Sequence, residues 1–203
     1  MKEFDIKAKK RRKFRYTTDS NHKLPLVPNI LNRKLNPSKP NKAWASDITY
    51  VWTKEGWLYL AVTMDLYSRK IVGWSLQDRM KKSLVVDAFS MGLKRRRPNT
   101  EDLLHHSDRG SQYASSDFQN ILLDNKFTCS MSRKGECYDN AVVESFFKSL
   151  KNDIDIEDFA TKTKQQAKAE IFEYLEVFYN RERLHSSLDY KSPCEFEDEN
   201  NVA

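Results

Sequence analysis

The sequence predicts an α/β protein in which one mixed β-sheet is flanked by helices. Three strand-like runs rich in β-branched and aromatic residues follow one another between residues 45 and 76. Helix-like and strand-like patterns then alternate over residues 83–151, and a long helix-like pattern covers residues 163–179. The 203 residues are 39% apolar and 12% aromatic, which is enough for one core domain with extensions. Successive strands followed by alternating helices and strands are typical of a sheet with helical cover.

Five segments have the composition of strands, so a five-stranded sheet is expected. The first three form a meander, because turn residues at Thr53–Gly56 and a tight connection at Leu66–Arg69 separate them. The fourth is short, and the fifth is expected at an edge of the sheet. The predicted strands are Ala45–Trp52, Trp57–Asp65, Lys70–Leu76, Leu103–His106 and Phe127–Met131.

Two helices are expected between the third and the fifth strand. Ser83 is a good N-cap for an apolar-rich helix through Leu93, which the run Arg95-Arg96-Arg97-Pro98 ends. Ser115 or Ser116 caps the second helix. The residues of this helix that are expected to point inward are Phe118, Ile121 and Leu122.

Two further helices follow the last strand. Residues Ser132–Asp139 contain Gly135 and no apolar period, so a mobile loop is expected there. Helices are predicted at Asn140–Lys151 and Thr163–Tyr179. The expected core residues of these two helices are Phe146, Phe147, Ile171, Tyr174, Leu175 and Phe178.

The charge is concentrated in a basic N-terminal arm. Residues 1–40 hold twelve Lys+Arg and three Asp+Glu, a net charge of +9, so the remainder carries −3 of the total of +6. The densest run includes Lys9, Lys10, Arg11, Arg12 and Lys13. Such a run binds phosphates with little base specificity, or it is a solvated tail, and the two readings are compatible. The expected organisation is an arm and linker at 1–40, a core at 41–160 and a C-terminal helical extension at 161–203.

Several classes of protein are excluded by the sequence. No segment approaches the roughly 20 apolar residues of a membrane span, and the basic N-terminus lacks the apolar region of a secretory signal. Cys129, Cys137 and Cys194 form no CxxC pair, and with four scattered histidines they give no zinc-finger spacing. Reduced thiols in a cytoplasmic protein without a membrane partner are therefore expected.

Three carboxylates are the candidates for chemistry. Asp47 interrupts the first strand, Asp108 follows the fourth, and Glu144 lies one turn into a helix, with 35 residues between it and Asp108. An unpaired charge is costly to bury in an apolar run, and a hard divalent cation is one way to remove that cost. A lone Asp or Glu is more often a cap or a surface ion partner. Asp65, at a strand end, is the main competitor to Asp47, although a turn role beside Ser68 is favoured.

Six motifs in a fixed order carry a resemblance to a known family. They are Asn41–Tyr50, Asp65–Trp74, His106–Tyr113, Ser130–Gly135, Tyr138–Ala141 and Tyr179–Leu188. Together with the 35-residue spacing, they resemble the catalytic core of bacterial insertion-sequence transposases of the retroviral-integrase (DDE) type, OrfB kind. The match runs from about Tyr16 to the C-terminus.

The resemblance implies a ribonuclease-H-like fold and metal-dependent DNA 3′-end cleavage and strand transfer during transposition and integration. Asp47, Asp108 and Glu144 would be catalytic and would bind two Mg²⁺ or Mn²⁺ ions. The implied partners are transposon-end and target DNA, and a homo-oligomer is expected on DNA. Helix-turn-helix segments usually precede the region that matches Tyr16–Leu31, so an upstream helix-turn-helix partner protein is a further expectation.

Basic residues near the three carboxylates are the expected DNA contacts. Lys148 and Lys151 follow Glu144 at i+4 and i+7 on one helical face, where the alternative is a solvated Glu–Lys pair. Arg133 and Lys134 on the preceding loop are expected to touch the DNA backbone. Near the C-terminus, a polar cluster either contacts DNA or cradles the core; its members are Asn180, Arg181, Arg183 and His185.

Other interpretations stay open at this stage. His106 either orients Asp108 or the attacking water, or packs on its strand. The whole chain is alternatively a truncated, non-catalytic DNA-binding or inhibitory transposase fragment, or a ribonuclease-H-like nuclease that acts on RNA–DNA hybrids. The intact carboxylates argue against decay of the active site, and the spacing and the Tyr179–Leu188 motif argue against the nuclease.

Overall fold

The computed structural model describes residues 22–99 and 101–200. The basic run at residues 9–13, which the sequence predicts to bind DNA phosphates or to be a solvated tail, lies outside these residues. Within them, no helix is long and apolar enough to cross a membrane. Cys129 and Cys194 are free thiols, as expected for reduced cysteines.

Five strands form one mixed sheet of order β3-β2-β1-β4-β5. The first three are an antiparallel meander, and β4 and β5 add to β1 in parallel. The strands are β1 (Ala43–Thr53), β2 (Gly56–Asp65), β3 (Ile71–Gln77), β4 (Leu104–Ser107) and β5 (Thr128–Met131). The predicted five-stranded mixed sheet, its meander and the edge position of the last strand are confirmed.

Helices cover both faces of this sheet. They are α1 (Lys82–Arg96), α2 (Ser116–Asp124), α3 (Ala141–Asp153), α4 (Lys164–Glu173) and α5 (Pro193–Glu199). On one face, α1 and α2 bury Trp44 and Phe89. On the other, α3 and α4 pack over Ala45. Because successive side chains of a strand point to opposite faces, Asp47 lies on the face of Ala45 and α3.

Linker and extension residues share the core of the sheet. Leu31, from the predicted linker, and Ile171, from the predicted extension, are buried in the same apolar cluster as α3. The division of the chain at residues 40 and 160 stays a prediction.

The expected N-cap of α1 at Ser83 is wrong. The helix begins at Lys82, and Lys81 occupies the cap position without a side-chain hydrogen bond. The Ser83 hydroxyl instead donates to the side chain of Gln77 at 3.1 Å. The helix also continues past Leu93 to Arg96, where three basic residues complement the negative end of the helix dipole. For α2, the predicted cap is confirmed, since the Ser115 hydroxyl accepts the N–H of Phe118.

The last long helix begins as predicted and ends differently. Thr163 and Gln166 form a capping box at the start of α4. After Glu173 the chain continues as a π-helix at Tyr174–Tyr179. A π-helical turn contains one residue more than an α-helical turn. The residue that points to the core one turn after Tyr174 is therefore Tyr179 and not Phe178. Tyr179 is therefore buried, whereas Phe178, predicted to be inward, is 38% exposed.

Candidate active site

The strands β1 and β4 bring Asp47 and Asp108 side by side. The last pair of this parallel ladder is Ala45 with His106, and each aspartate lies two residues further along the chain. Neighbouring strands are about 4.8 Å apart, so matched positions just past the ladder are close. Burial first, and repulsion from Asp108 second, raise the pKa of Asp47 well above its ordinary value. The electrostatics therefore agree with the register.

Backbone N–H groups fix both aspartates. Asp47 Oδ1 accepts the N–H of Ile48 at 2.7 Å, and Asp108 Oδ1 accepts the N–H of Gly110 at 2.8 Å. The second contact reaches two residues ahead, which is the geometry of an Asx turn. It turns the chain directly after β4 and leaves Asp108 half-buried at the end of that strand.

Glu144 lies in the first turn of α3, where it acts electrostatically on both aspartates. Asn140, at the N-cap position, donates its side-chain amide to the carbonyl oxygen of Ser46 at 3.3 Å and ties the helix start to β1. Partial desolvation, and then repulsion from Asp108, raise the pKa of Glu144. Glu144 in turn raises the pKa of Asp47. The structure thus brings the three predicted carboxylates into one electrostatic cluster.

These carboxylates do not converge on one point as they stand. Among residues 22–99 and 101–200, no group of three or more His, Cys, Asp or Glu side chains is arranged to hold a metal ion. Glu144 is exposed, whereas Asp47 and Asp108 are half-buried. The donor chemistry nevertheless fits a hard divalent cation, because each carboxylate penalises the charge of its neighbours and Mg²⁺ prefers such oxygens.

Two lysines of α3 lie on the side of this cluster. Lys151 lowers the pKa of Asp47, and burial lowers the pKa of Lys151 itself, although the charge of Asp47 opposes that effect. Lys148 is exposed, and so is Glu144, which precedes it by one helical turn. The opposite side of the helix holds the buried residues Val143, Phe146, Phe147 and Leu150. This arrangement agrees with the face predicted from helical spacing.

His106 is buried and hydrogen-bonded toward β5. Its Nδ1 lies 2.9 Å from Ser130 Oγ, and its Nε2 lies 3.1 Å from Ser132 Oγ. Burial lowers the pKa of His106 to about 4, so the ring is neutral at pH 7. These contacts match the alternative in which His106 packs within the sheet.

Asp139 is a residue that the sequence analysis missed. It is fully buried, and it accepts the backbone N–H of Arg133 at 2.9 Å. Arg133 and Arg33 form ion pairs with it at 2.7 Å and 3.0 Å, which hold the pKa of Asp139 well below its usual range. The segment Ser132–Asp139, expected to be a mobile loop, is therefore tied together at its two ends, close to the start of α3.

The role of Asp65 is the turn role that was predicted. Its carboxylate accepts the N–H groups of Tyr67 at 3.0 Å and Asn41 at 2.9 Å. It also pairs with Arg96 at 3.4 Å. Asp65 is therefore engaged in closing the turn after β2.

The C-terminal cluster divides between the two alternatives left open for it. The Asn180 side chain binds both the N–H and the carbonyl of Ile71, at 2.9 and 3.0 Å, so it covers the edge strand β3. Arg183 pairs with Asp153 at the end of α3. Arg181 donates to the carbonyl of Glu176. Asn180 thus supports the core by binding the backbone of β3. DNA contact by Arg181 and Arg183 stays a prediction.

Comparison with known proteins decides the family. The integrase core domain family matches residues 37–137, and a second integrase core domain description matches residues 125–193. A 31 kDa protein of insertion element IS600 from Shigella sonnei is 47% identical over 96% of this chain and 71% of its own length. The chain belongs to the integrase-core family of insertion-sequence transposases. It is therefore a transposase/integrase catalytic core of the DDE polynucleotidyl transferase class.

Other transposases of the family give the same assignment. The transposase of IS904 from Lactococcus lactis is 49% identical over 84% of this chain and 66% of its own length. Transposase InsF of IS3A from Escherichia coli is 46% identical over 96% of this chain and 67% of its own length. The chain thus spans about two thirds of the length of these transposases.

Solved structures confirm the ribonuclease-H-like fold of this transposase core. The HTLV-2 integrase catalytic core domain, in complex with magnesium, superposes with a TM-score of 0.61 at 17% identity. The superposition covers 79% of this chain and 99% of that domain. The simian T-cell lymphotropic virus intasome, in complex with PP2A regulatory subunit B56 gamma, gives a TM-score of 0.65 at 18% identity, over 88% of this chain and 60% of that one.

Proposed function

We propose that this transposase core cleaves DNA 3′ ends and transfers strands, with Asp47, Asp108 and Glu144 holding two divalent cations. The supporting observation is that three separate elements bring these carboxylates close enough that Asp108 and Glu144 raise the pKa of Asp47, and Asp108 raises the pKa of Glu144. Bound Mg²⁺ or Mn²⁺ would activate a water or a DNA 3′-hydroxyl and stabilise the departing 3′-oxygen.

The chain's own residues position these carboxylates. Ile48 and Gly110 orient the two aspartates through their backbone N–H groups. Asn140 anchors the start of α3, and with it Glu144, on β1. Glu144 is the carboxylate whose exposed side chain would have to move for the three to hold a cation together, since Asp47 and Asp108 already lie at matched positions just past the β1–β4 ladder.

DNA is the proposed substrate, as transposon ends and as target. The cations proposed to hold its backbone are Lys9, Lys10, Arg11, Arg12, Lys13, Arg133, Lys134, Lys148, Lys151, Arg181 and Arg183. HTLV-2 integrase cores form trimers and dimers, which supports a homo-oligomer here. A helix-turn-helix partner and, since the relatives are bacterial, a place in the bacterial cytoplasm belong to the same proposal.

Metal dependence tests this function directly. In a strand-cleavage assay on duplex DNA that carries the element's ends, the chain should cut with Mg²⁺ or Mn²⁺ and lose all cleavage in EDTA. Excess Mg²⁺ added after EDTA should restore it. Cutting that persists in EDTA would contradict the proposal. Cleavage of the RNA strand of an RNA–DNA hybrid, without cleavage of DNA ends, would favour the nuclease alternative.

Lys148 tests the proposed DNA path. Lys148→Ala should weaken binding of end DNA roughly tenfold at low salt, as loss of a charge-assisted contact does, and flatten the salt slope by about 1. Because Lys148 is exposed, the free energy of unfolding should change by no more than about 0.5 kcal/mol. Filter binding over a salt series measures the affinity and the salt slope, and a melting curve measures the stability.

The matched control is Lys94→Ala, an exposed lysine near the end of α1 on the opposite face of the sheet. Equal loss of DNA binding in both variants would mean that non-specific charge, and not the face of Glu144, holds the DNA. Loss of folding in Lys148→Ala would place this side chain in the core instead.

A further inference from the structure

An aromatic cleft lies at the end of the β1–β2 hairpin. Trp52 is 48% exposed there. Its ring centre is 4.7 Å from that of Trp57 in an edge-to-face contact, and Tyr50 contacts Trp57 in the same way at 4.9 Å. A cleft of about 340 Å³ opens between these two tryptophans and Ile156, Glu157 and Ala160. Its volume is within the range of about 300–1,000 Å³ that is usual for small-molecule sites.

A chain of side-chain contacts connects the cleft with the carboxylate cluster. Lys151 joins them, because its Nζ lies 5.6 Å from the centre of the Tyr50 ring and its charge acts on Asp47. Trp52 follows Asp47 by five positions on the same strand, or roughly 16 Å at about 3.3 Å per residue, and this odd separation turns its side chain to the opposite face of β1. A DNA strand that reaches both would pass the edge of β1 beyond its pairing with β4, where Lys151 lies against Tyr50. Stacked DNA advances about 3.4 Å per nucleotide. Trp52 is thus within about five nucleotides of a phosphate held at Asp47.

The chemistry of the cleft favours a base over a phosphate. The carboxylate of Glu157 at its wall repels phosphate, whereas it can accept a hydrogen bond from the exocyclic amino group of cytosine or adenine. An exposed indole offers a stacking surface to any base. The cation that would hold the backbone, Lys151, lies outside the cleft, between it and Asp47.

We propose that the Trp52–Trp57 cleft receives one unstacked base of the DNA end, near the reacting phosphate, while Lys151 holds the intervening backbone. This inference rests on the proposed function, because it assumes that the phosphate reacts at Asp47. It adds a specificity determinant: Trp52 stabilises a frayed end, and Glu157 favours a base with an exocyclic amino group.

The test is binding in EDTA, where no cleavage is expected, of a blunt duplex and of the same duplex with a short unpaired adenine tail. The whole chain should prefer the tailed probe by roughly tenfold, which corresponds to about 1.4 kcal/mol. Trp52→Ala should lose the preference, and Trp52→Phe should keep most of it. Phe172→Ala is the matched control, since Phe172 is an exposed aromatic residue packed on Trp74, and it should keep the full preference.

A second comparison isolates Glu157. With thymine in place of adenine in the tail, the wild-type chain should bind more weakly, and Glu157→Ala should bind both tails alike. Equal affinity of the wild-type chain for blunt and tailed probes would overturn the proposal. The proposal would also be overturned if Trp52→Ala melted at the temperature of the wild type and kept the full preference for the tailed probe.

A changed sedimentation coefficient in Trp52→Ala with unchanged DNA preference would assign the cleft to a protein contact, and this too would overturn the proposal. The two proposals fail separately. The wild type could cleave DNA in a metal-dependent way while Trp52→Ala keeps the full preference for the tailed probe. That result would support the proposed function and contradict only the proposal that the cleft binds a base.

Discussion

Asp47→Asn is expected to abolish DNA cleavage and at the same time to stabilise the fold. A metal ion contributes several kcal/mol to the transition state, and each 1.36 kcal/mol is tenfold in rate. Loss of the carboxylate that holds it should therefore reduce the cleavage rate by roughly a thousandfold or more. Asp108→Asn and Glu144→Gln should lose activity to a similar degree, since each keeps the shape of the side chain and removes the charge.

The stability gain follows from the direction of the pKa shift. The pKa of Asp47 in the folded protein lies above its ordinary value of 3.8 because of burial and of repulsion from Asp108 and Glu144. Between 3.8 and the folded pKa, the folded state binds more protons than the unfolded state, so wild-type stability falls as the pH rises through this window. Asn does not ionise. The melting temperature of Asp47→Asn should therefore exceed that of the wild type at pH 7, and the two should approach each other at low pH.

Divalent cations give a readout that is independent of activity. Mn²⁺ should raise the melting temperature of the wild type by binding the folded state alone, and it should have little effect on Asp47→Asn. Asp124→Asn, an exposed carboxylate of α2, is the control and should respond to Mn²⁺ as the wild type does. A lower melting temperature in Asp47→Asn would make Asp47 a structural residue, and near-normal cleavage would remove it from the site.

The sequence predicts the sheet well because its signals are local. Runs of β-branched residues and turn residues suffice to predict each strand to within a few positions. The helix ends are less certain where a tertiary contact competes. Ser83 has cap chemistry, yet its hydroxyl binds Gln77 from β3. Phe178 fits an α-helical period, and the π-helix that exposes it has no sequence signature.

The carboxylates could be predicted because spacing and motif order carry the family resemblance, whereas their supports could not. Asp139 is held by Arg33, which is 106 residues away in the chain, and no periodicity reports such a pair. The side chain of Asn140 finds its partner on β1 only after the sheet has formed. For His106, both interpretations suit the sequence, and the serines of the β5 region select one.

Gly73 is a position where the addition of a single methyl group should strongly lower the stability of the fold. A Cβ built on Gly73 of β3 would lie 2.1 Å from the carbonyl oxygen of Ala88 and 2.6 Å from the amide nitrogen of Gly92. Both atoms belong to the backbone of α1, so no side-chain rotation relieves the clash. The helix would have to move off the sheet, and Gly92 already lies against Trp44 in the core.

Gly73→Ala should therefore destabilise the protein by about 3 kcal/mol, the upper end of the usual overpacking cost. For a chain of this size that corresponds to a fall in melting temperature of roughly 6–12 °C. Ser75→Ala, two positions along the same strand and half-buried, is the matched control and should melt near the wild type. Ala88→Gly should not rescue Gly73→Ala, because the obstructing atom is the carbonyl oxygen and not the methyl group. A melting temperature of Gly73→Ala within 2 °C of the wild type, or rescue by Ala88→Gly, would show that α1 does not lie this close to β3.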